Sequence, residues 1–183
     1  MQLQNNEVSI RLFCEADIPK KVEWINDPKN NRYLHYDIPL SCEATRAWFF
    51  HKDDRTRLDC VIEYEGVPVG LIGLLNIDTK SQKAEYYISM GDTSVKRRGI
   101  ATRATFLLLR HAFETLGLNK VYLNVDDENE AACRLYEKVG FVLEGRFIQD
   151  LWHRGRLIDR RRYAAFRGRI VFNEGFEASQ REL

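Results

Sequence analysis

A strand, a basic turn and the start of a long helix follow one another without a break between residues 86 and 102. The strand reads YYISM at 86–90, and the turn and helix start read KRRGIAT at 96–102. A helix start leaves backbone N–H groups without partners inside the helix and carries the positive end of the helix dipole. Because Gly99 has no Cβ, a ligand can approach the backbone there. The segment therefore predicts a cradle for a diphosphate, which the basic residues before Gly99 would strengthen.

The spacing of this segment differs from that of the common nucleotide-binding loops. It lacks the four-residue gap and the Gly-Lys-Ser/Thr end of the P-loop. Its single glycine also excludes the dinucleotide fingerprint, which is rich in glycine. Taken alone, the segment is equally compatible with a solvated basic turn before an ordinary helix.

A second segment, VYLNVDDENEAACRLYEKVGF at 121–141, predicts a strand followed by a short helix that stops at Gly140. Together the two segments resemble the GNAT acetyltransferase superfamily over residues 8–170. In that family an Arg/Gln-x-x-Gly-x-Gly/Ala loop binds the pyrophosphate of coenzyme A. An Asn that opens a later helix, followed by Leu-Tyr-Glu-Lys-x-Gly-Phe, completes the site. Here Lys96 replaces the usual Gln or Arg, Ala101 takes the place of the second glycine, and Asn129 opens the later helix.

The resemblance implies an α/β (α+β) fold with a mixed, mostly antiparallel sheet of about seven strands, about four flanking helices and splayed central strands. Sequence patterns predict the same order of elements. The expected strands are 8–13, 58–65, 67–77, 84–90, 120–125, 141–152 and 157–166, and the expected helices are 17–25, 41–51, 99–116 and 129–138. A chain of 183 residues is long enough for one domain, with a core at about 8–170 and a polar tail at 171–183.

The resemblance also implies acetyl-CoA as the cofactor. The end of the strand at 84–90 is expected to pair its backbone with the pantetheine arm, as an edge strand pairs with a peptide. A backbone N–H near Ser89 or Met90 would then meet the developing oxyanion. The expected coenzyme-binding residues are Ile88, Ser89, Met90, Lys96, Arg97, Arg98, Gly99, Ile100, Ala101, Thr102, Asn129 and Lys138.

Two residues are candidates for catalysis. Tyr136 lies seven residues after Asn129, and therefore on the same helix face about two turns on. The resemblance points its hydroxyl at the coenzyme sulfur as a general acid; a core Tyr that supports the turn at Gly140 is the alternative. Glu85 is a candidate base that would remove the ammonium proton through water. A solvent-facing Glu, or a group that only orients the substrate, is an equal alternative.

The acceptor is expected to be the primary amine of a small molecule, bound near Tyr33, Tyr36, Asp37 and Glu43. The chain resembles three branches of the family, which acetylate spermidine, UDP-linked amino sugars and the N-termini of ribosomal proteins. A polyamine needs several carboxylates, and Asp37 and Glu43 are few for that purpose. A UDP-sugar needs aromatic and basic groups, which Tyr33, Tyr36 and the C-terminal arginines could supply.

A different class of function is a non-catalytic module that binds RNA or an acidic partner through the arginine-rich strands near the C-terminus. The formal net charge of +1 argues against it. The four cysteines are scattered, which indicates reduced thiols in a cytoplasmic protein and no metal site. No apolar stretch is long enough for a membrane span. We therefore expect a cytoplasmic monomer or homodimer whose partner is a small amine, and neither nucleic acid nor a membrane.

Overall fold

The computed structural model describes residues 1–95, 98–170 and 172. Over this part of the chain, four α-helices and eight β-strands follow one another. They are β1 Gln2–Asn5, β2 Val8–Leu12, α1 Ile18–Asn26, α2 Cys42–His51, β3 Leu58–Tyr64, β4 Val67–Asp78, β5 Lys83–Met90, α3 Ile100–Arg110, β6 Lys120–Asp126, α4 Glu130–Val139, β7 Val142–His153 and β8 Arg156–Phe166.

The strands form one sheet in the order β1-β2-β3-β4-β5-β6-β8-β7. Neighbouring strands are antiparallel except β5 and β6, which are parallel. These two strands pair only from Lys83 with Lys120 to Glu85 with Tyr122. Beyond that point β5 continues to Met90 and β6 continues to Asp126 without pairing to each other. The mixed, mostly antiparallel sheet with splayed central strands is therefore confirmed.

Two apolar clusters cover the two faces of the sheet. The larger one contains α3, α4 and the inward residues Val121, Leu123 and Val125 of β6. The smaller one lies around Trp24 of α1 and includes the half-buried Trp48 of α2. Because side chains alternate along a strand, Asn124 and Asp126 lie on the face of β6 opposite to the larger cluster.

Helix α3 is buried on most sides, because every residue from 104 to 109 is buried. It ends in a π-helical turn at His111–Thr115. Among the described residues, no helix combines the length and the apolar character that crossing a membrane requires.

The strand β1 was not predicted. It is only four residues long, and its side chains are exposed or half-buried, so its sequence carries no apolar alternation. It forms through pairing with β2, from Gln2 with Arg11 to Asn5 with Val8. The expected polar tail at 171–183 lies outside the described residues apart from Phe172.

Candidate active site

The divergence of β5 and β6 opens a cleft of about 560 Å³. After their predicted roles, we call the wall that α3 and α4 form the coenzyme side and the wall that the loop after α1 forms the acceptor side. Its lining includes Asn30, Tyr33, Leu34, His35, Tyr36, Arg57, Leu75, Tyr86, Tyr87, Ile88, Ser89, Met90, Ala101, Leu123, Asn124, Val125, Asp126, Asn129, Ala131, Ala132, Leu135 and Tyr136.

On the coenzyme side, the start of α3 has the backbone that a diphosphate cradle requires. Gly99 is the N-cap residue and has a φ of 70°, a left-handed conformation that glycine adopts without strain. A Cβ at Gly99 would meet no atom of the described residues within 4 Å, so these residues leave the space above the helix start open. Ala101 in the first turn lines the cleft, whereas Ile100 is buried and Thr102 is half-buried.

The loop before Gly99 is held from both sides. Arg103 donates a hydrogen bond of 2.9 Å to the backbone oxygen of Arg98. The exposed Arg98 guanidinium lies 5.6 Å from the ring of Tyr64 and donates to its hydroxyl oxygen at 3.3 Å. Lys96 and Arg97, which were also predicted to bind the coenzyme, lie outside the described residues.

The predicted edge of β5 also lines the cleft. Ile88, Ser89 and Met90 are half-buried and pair with β4 on one side. On the other side β6 has diverged, so the backbone of β5 beyond Glu85 does not pair with it. Backbone groups at such an edge can bind an extended chain such as a pantetheine arm.

Helix α4 presents one face to the cleft. Asn129 is its N-cap residue, and its side-chain oxygen accepts a hydrogen bond of 3.2 Å from the backbone of Ala132. Asn129, Ala132 and Tyr136 lie on the same side and line the cleft. Lys138 is exposed and does not line it. A coenzyme contact of Lys138 therefore stays a prediction.

Tyr136 is buried in an aromatic cluster at this wall, with 7% of its surface exposed. Its ring lies 6.0 Å from that of Tyr86 and 5.7 Å from that of Phe141. Burial raises the pKa of its hydroxyl above the ordinary value. The hydroxyl therefore keeps its proton at neutral pH, which is the state that a general acid needs.

A buried hydrogen-bond chain, which the sequence did not reveal, connects the cleft to the start of α3. The Thr105 hydroxyl donates to the backbone oxygen of Ala101 at 2.6 Å. Because that proton is used, the Tyr86 hydroxyl donates to the Thr105 oxygen at 2.8 Å. These two hydrogen bonds fix β5 against the first turn of α3, where the diphosphate is expected.

Glu85 lies beside the cleft but does not line it. Its two carboxylate oxygens accept hydrogen bonds of 2.9 Å from the amide of Asn76 and 3.2 Å from the amide of Asn124. Asn124 does line the cleft, and its own oxygen accepts from Arg162 at 3.1 Å. The arrangement favours a Glu85 that orients Asn124 over one that takes a proton directly, so its role as a base stays a prediction.

On the acceptor side, the loop at 30–36 bridges the ends of the diverging strands. Asn30 donates to the backbone oxygen of Gly91 after β5 at 2.8 Å. Arg154, in the turn between β7 and β8, donates to the side-chain oxygen of Asn31 at 2.8 Å. Glycine is required at position 91 because a Cβ there would lie 2.0 Å from the Trp24 ring. The loop is thereby fixed as one wall of the cleft.

The four residues predicted to bind the acceptor divide into two pairs. Tyr33 and Tyr36 line the cleft. Asp37 and Glu43 are exposed and do not line it, so the structure does not bring these carboxylates to the acceptor. Their binding role stays a prediction.

The carboxylate that does line the cleft is Asp126, at the end of β6, and it was missed. It is 8% exposed, and the His35 Nε2 atom lies 3.0 Å from its Oδ1 and 3.2 Å from its Oδ2. Only the Oδ2 contact has hydrogen-bond geometry, so Oδ1 is buried without a hydrogen-bond partner among the described residues. A polar residue directly after an alternating strand could have drawn attention to it.

A second buried charge group lies behind the acceptor side. The Tyr87 hydroxyl donates to Asp59 at 2.8 Å, and Arg57 forms two hydrogen bonds of 2.8 Å to the same carboxylate. The Lys21 ammonium lies 3.6 Å from the ring centre of Trp48. Burial lowers the pKa of Lys21 to about 8.

The C-terminal arginines are largely paired with acidic residues. Arg146 and Arg161 bind Asp127, and Arg156 binds Glu128 at 2.9 Å. Guanidinium groups in such pairs are not a free basic surface for RNA, which argues against the RNA-binding alternative. Within residues 1–95, 98–170 and 172, no group of three or more His, Cys, Asp or Glu side chains could hold a metal ion.

The sequence of this chain is similar to those of known acetyltransferases. Residues 7–142 match the family model described as an acetyltransferase (GNAT) domain. The spermidine N(1)-acetyltransferase of Escherichia coli K12 is 33% identical over 140 residues, which cover 68% of this chain and 74% of that protein. The Bacillus subtilis protein YdaF, described as a candidate ribosomal N-acetyltransferase, is 29% identical over 161 residues, which cover 82% of this chain and 86% of that protein.

Solved structures are similar over almost the whole chain. The crystal structure of spermidine N-acetyltransferase from Vibrio cholerae in complex with CoA and spermine has a TM-score of 0.81 and 25% identity. The similarity covers 89% of this chain and 97% of that one.

Proposed function

Because the chain belongs to the GNAT acetyltransferase family and is an acetyl-CoA-dependent N-acetyltransferase, we propose that its acceptor is a primary amine of a small polyamine-type cation. The observation that carries this proposal is the carboxylate of Asp126, which lines the cleft and whose buried Oδ1 accepts no hydrogen bond from the described residues. A cation is the ligand that such a carboxylate attracts. The spermidine N-acetyltransferases among the relatives support the same class of acceptor.

The cleft is less suited to a UDP-linked amino sugar. A nucleotide diphosphate needs cationic hydrogen-bond donors. Among the described lining residues, Arg57 alone is an arginine or a lysine. Both of its hydrogen bonds already go to Asp59. Of the two small-molecule acceptors that the sequence suggested, the polyamine is therefore favoured over the UDP-linked amino sugar.

The described residues fit acetyl-CoA, because an open helix start at Gly99 and an unpaired strand edge meet at the cleft. We propose that the first turn of α3 and Asn129 hold the diphosphate and that Ile88, Ser89 and Met90 hold the pantetheine arm. The bound coenzyme supplies the acetyl group as an activated thioester.

The chain's own residues supply the proton chemistry. An alkyl ammonium has a pKa of about 10 and must lose a proton, which we assign to solvent water, before its nitrogen can attack a carbonyl. We propose that the acceptor side of the cleft binds and orients this nitrogen. The Tyr136 hydroxyl holds a proton at Oη on the coenzyme side, where a leaving thiolate needs one. Tyr136 projects from the coenzyme wall, and Asp126 and Asn124 lie on the opposite face of the sheet.

An acceptor screen tests the proposed function. Free thiol release from acetyl-CoA would be followed with spermidine, a diamine, a UDP-linked amino sugar and a peptide with a free N-terminus, and the products would be identified by mass spectrometry. We expect the highest kcat/KM with the di- and triamines. A higher kcat/KM with the peptide would instead favour the activity described for the Bacillus subtilis relative.

We expect a monomer or a homodimer in the cytoplasm, whereas one structure of the Vibrio cholerae spermidine N-acetyltransferase is described as dodecameric. Light scattering coupled to size-exclusion chromatography would measure the mass of the assembly directly.

A further inference from the structure

We propose that Asp126, flanked by His35 and His153, forms the binding site for an ammonium group of the acceptor. This inference rests on the proposed polyamine-type acceptor and names the residues that would recognise it. The three side chains come from different parts of the fold: the loop after α1, the end of β6 and the end of β7.

Buried polar atoms without partners point to a missing ligand in this cluster. Among the described residues, such atoms are Asn5 Oδ1, Asp126 Oδ1 and His153 Nε2. Asp126 Oδ1 lies 3.0 Å from His35 Nε2, and the centres of the His35 and His153 rings lie 4.8 Å apart with 73° between the ring planes. Asp126 and His153, which carry two of these atoms, therefore both contact the imidazole of His35. An unsatisfied buried polar atom costs stability, so a donor group bound between Asp126 and His153 would stabilise this cluster.

An ammonium group has the chemistry that both atoms lack. It carries three N–H donors and a positive charge, and it has no acceptor. The free oxygen of Asp126 would accept one hydrogen bond with charge assistance. The lone pair of His153 Nε2 would accept another if the ring stays neutral. Burial is the largest cause that lowers the pKa of His153, and the nearby His35 and Arg154 lower it further, so the ring stays neutral at neutral pH.

The neighbouring carboxylates are already used. Both oxygens of Glu85 accept from amides, and Asp127 binds Arg146 and Arg161. Glu128 binds both terminal nitrogens of Arg156. Asp126 is thus the carboxylate on this wall with an oxygen left for a ligand.

Other charged groups around the cluster face their own partners. From the turn between β7 and β8, Arg154 donates to Asn31 and Arg156 pairs with Glu128. From the loop after α1, the Tyr33 hydroxyl donates to the backbone oxygen of Glu128 at 3.4 Å. The groups left to respond to pH beside Asp126 are His35 and His153.

A purely structural pair of His35 and Asp126, which ties the loop to β6, is the competing explanation. The two explanations differ in what Asp126→Asn does. This variant keeps the shape of the side chain and removes its charge. Asp127→Asn is the matched control, because it removes the same charge one residue later from a carboxylate that pairs with arginines away from the cleft.

The test is a calorimetric titration of spermidine into the full-length protein saturated with coenzyme A. We expect Asp126→Asn to raise the Kd for spermidine by about tenfold or more, the loss typical of a hydrogen bond to a charged group. Asp127→Asn should change it by less than about threefold. The Kd for coenzyme A should stay unchanged in both variants. An unchanged spermidine Kd in Asp126→Asn would overturn the inference.

Two further measurements complete the test. His153→Phe keeps a ring and removes the Nε2 acceptor, so it should also weaken spermidine binding, and this variant stands in if Asp126→Asn does not fold. In the wild type, binding should weaken at pH values below the ordinary histidine pKa of about 6.5, because a protonated His153, whose pKa burial lowers, has lost its acceptor lone pair. This dependence should flatten in a His35→Gln, His153→Gln double variant. The same pH dependence in both proteins would contradict the assignment.

The outcomes separate the inference from the proposed function. If the wild type acetylates spermidine and the Asp126 variant binds it equally well, only the inference fails. If the wild type neither binds nor acetylates any polyamine, the proposed function fails and the inference is overturned with it. If Asp126→Asn lowers kcat and leaves the Kd intact, Asp126 acts on the proton and not in binding.

Discussion

The proposed role of the Tyr136 hydroxyl as a general acid can be tested by removing the hydroxyl alone. Tyr136→Phe keeps the ring in its aromatic cluster with Tyr86 and Phe141 and removes only the proton donor. We expect kcat to fall by about tenfold or more, with the Kd for acetyl-CoA little changed. Steady-state kinetics and calorimetry measure the two quantities.

A control for Tyr136→Phe is available in the same cluster. The ring of Tyr163 lies 6.2 Å from that of Tyr136, and its hydroxyl donates to Glu137 at 2.8 Å. Tyr163→Phe should leave kcat within about twofold, since Tyr163 does not line the cleft. Equal kcat losses in the two variants would show that the cluster's packing, and not the Tyr136 proton, supports the reaction.

Glu85 is predicted to act on the acceptor through Asn124. In Glu85→Gln an amide NH₂ would face the amide of Asn76 or Asn124, where a carboxylate oxygen now accepts. The Asn124 side chain should therefore lose its orientation. We expect the KM for the amine to rise by about tenfold, with the shape of the pH–rate profile unchanged. A variant that loses most activity at neutral pH and recovers at high pH would instead identify Glu85 as the base.

Lys21 predicts how stability depends on pH. Burial lowers its pKa from 10.5 to about 8, so between these values the unfolded chain binds more protons than the folded one. Stability therefore rises with pH across this window, and the penalty for the buried charge is fully present below it. Relative to Lys21→Met, the wild type should gain at most about 3 kcal/mol between pH 8 and 10.5. The Trp48 ring, 3.6 Å away, stabilises the ammonium and reduces the gain.

Urea denaturation of wild type and Lys21→Met at several pH values measures this difference. The neighbouring Lys20 is the control, because its side chain is 48% exposed and pairs with Glu23. Lys20→Met should show a constant offset from wild type over the same range. A constant offset for Lys21→Met as well would mean that Lys21 keeps an ordinary pKa in the folded state.

At the scale of elements, the start of α3 can be tested with a pair of variants of equal size. Gly99 has a φ of 70°, which Asn and Asp tolerate better than other side chains. Gly99→Asp and Gly99→Asn therefore carry similar strain and differ by one negative charge. If the coenzyme diphosphate binds here, the Kd for coenzyme A should be about tenfold higher in the Asp variant than in the Asn variant. Equal Kd values in calorimetry would remove Gly99 from the coenzyme site.

The elements that the sequence predicted well carry their signal locally. Asn129 and Gly140 bound α4 through a side-chain cap and a left-handed glycine, and both can be read from a few residues. The hairpin of β7 and β8 was predicted for the same reason, because residues 153–156 form a short turn around Gly155. Strand β1 has no such signal, since its four mostly polar residues form a strand only by pairing with β2.

The site was predicted where a motif lies within one segment and missed where distant segments meet. Tyr136 and Asn129 lie on one helix face within one family motif, so the resemblance was enough to place both at the cleft. The contact between His35 and Asp126 joins residues 91 positions apart, and no local pattern encodes it. Asp37 and Glu43 were chosen for their charge, yet the direction of the loop leaves both exposed.

At the scale of the whole molecule, the wall of the cleft depends on contacts between remote parts of the chain. Arg154 contacts Asn31 across 123 positions, and Asn30 contacts Gly91 across 61. These bonds join the ends of β5, the loop after α1 and the turn between β7 and β8. The acceptor side therefore forms only when the complete sheet has formed, whereas the helix face with Asn129 and Tyr136 is local.

We propose that the chain is one domain, because a single sheet carries the apolar clusters of both faces. One domain predicts one cooperative unfolding transition, with equal calorimetric and van't Hoff enthalpies. Coenzyme A binds only the folded state, and at a hundred times its Kd it should add about 2.7 kcal/mol. For a chain of this size that corresponds to a rise in Tm of about 5–10 °C.

The same calorimetric experiment distinguishes an enzyme site from a basic surface. A single-stranded RNA oligonucleotide at equal concentration should leave Tm unchanged, because Arg146, Arg156 and Arg161 are paired with acidic residues. Gly99→Asp is the control and should reduce the shift with coenzyme A while keeping a single transition. Two separate transitions would contradict the one-domain proposal. A shift with RNA that is as large as the shift with coenzyme A would mean that the arginine-rich hairpin binds a partner despite its ion pairs.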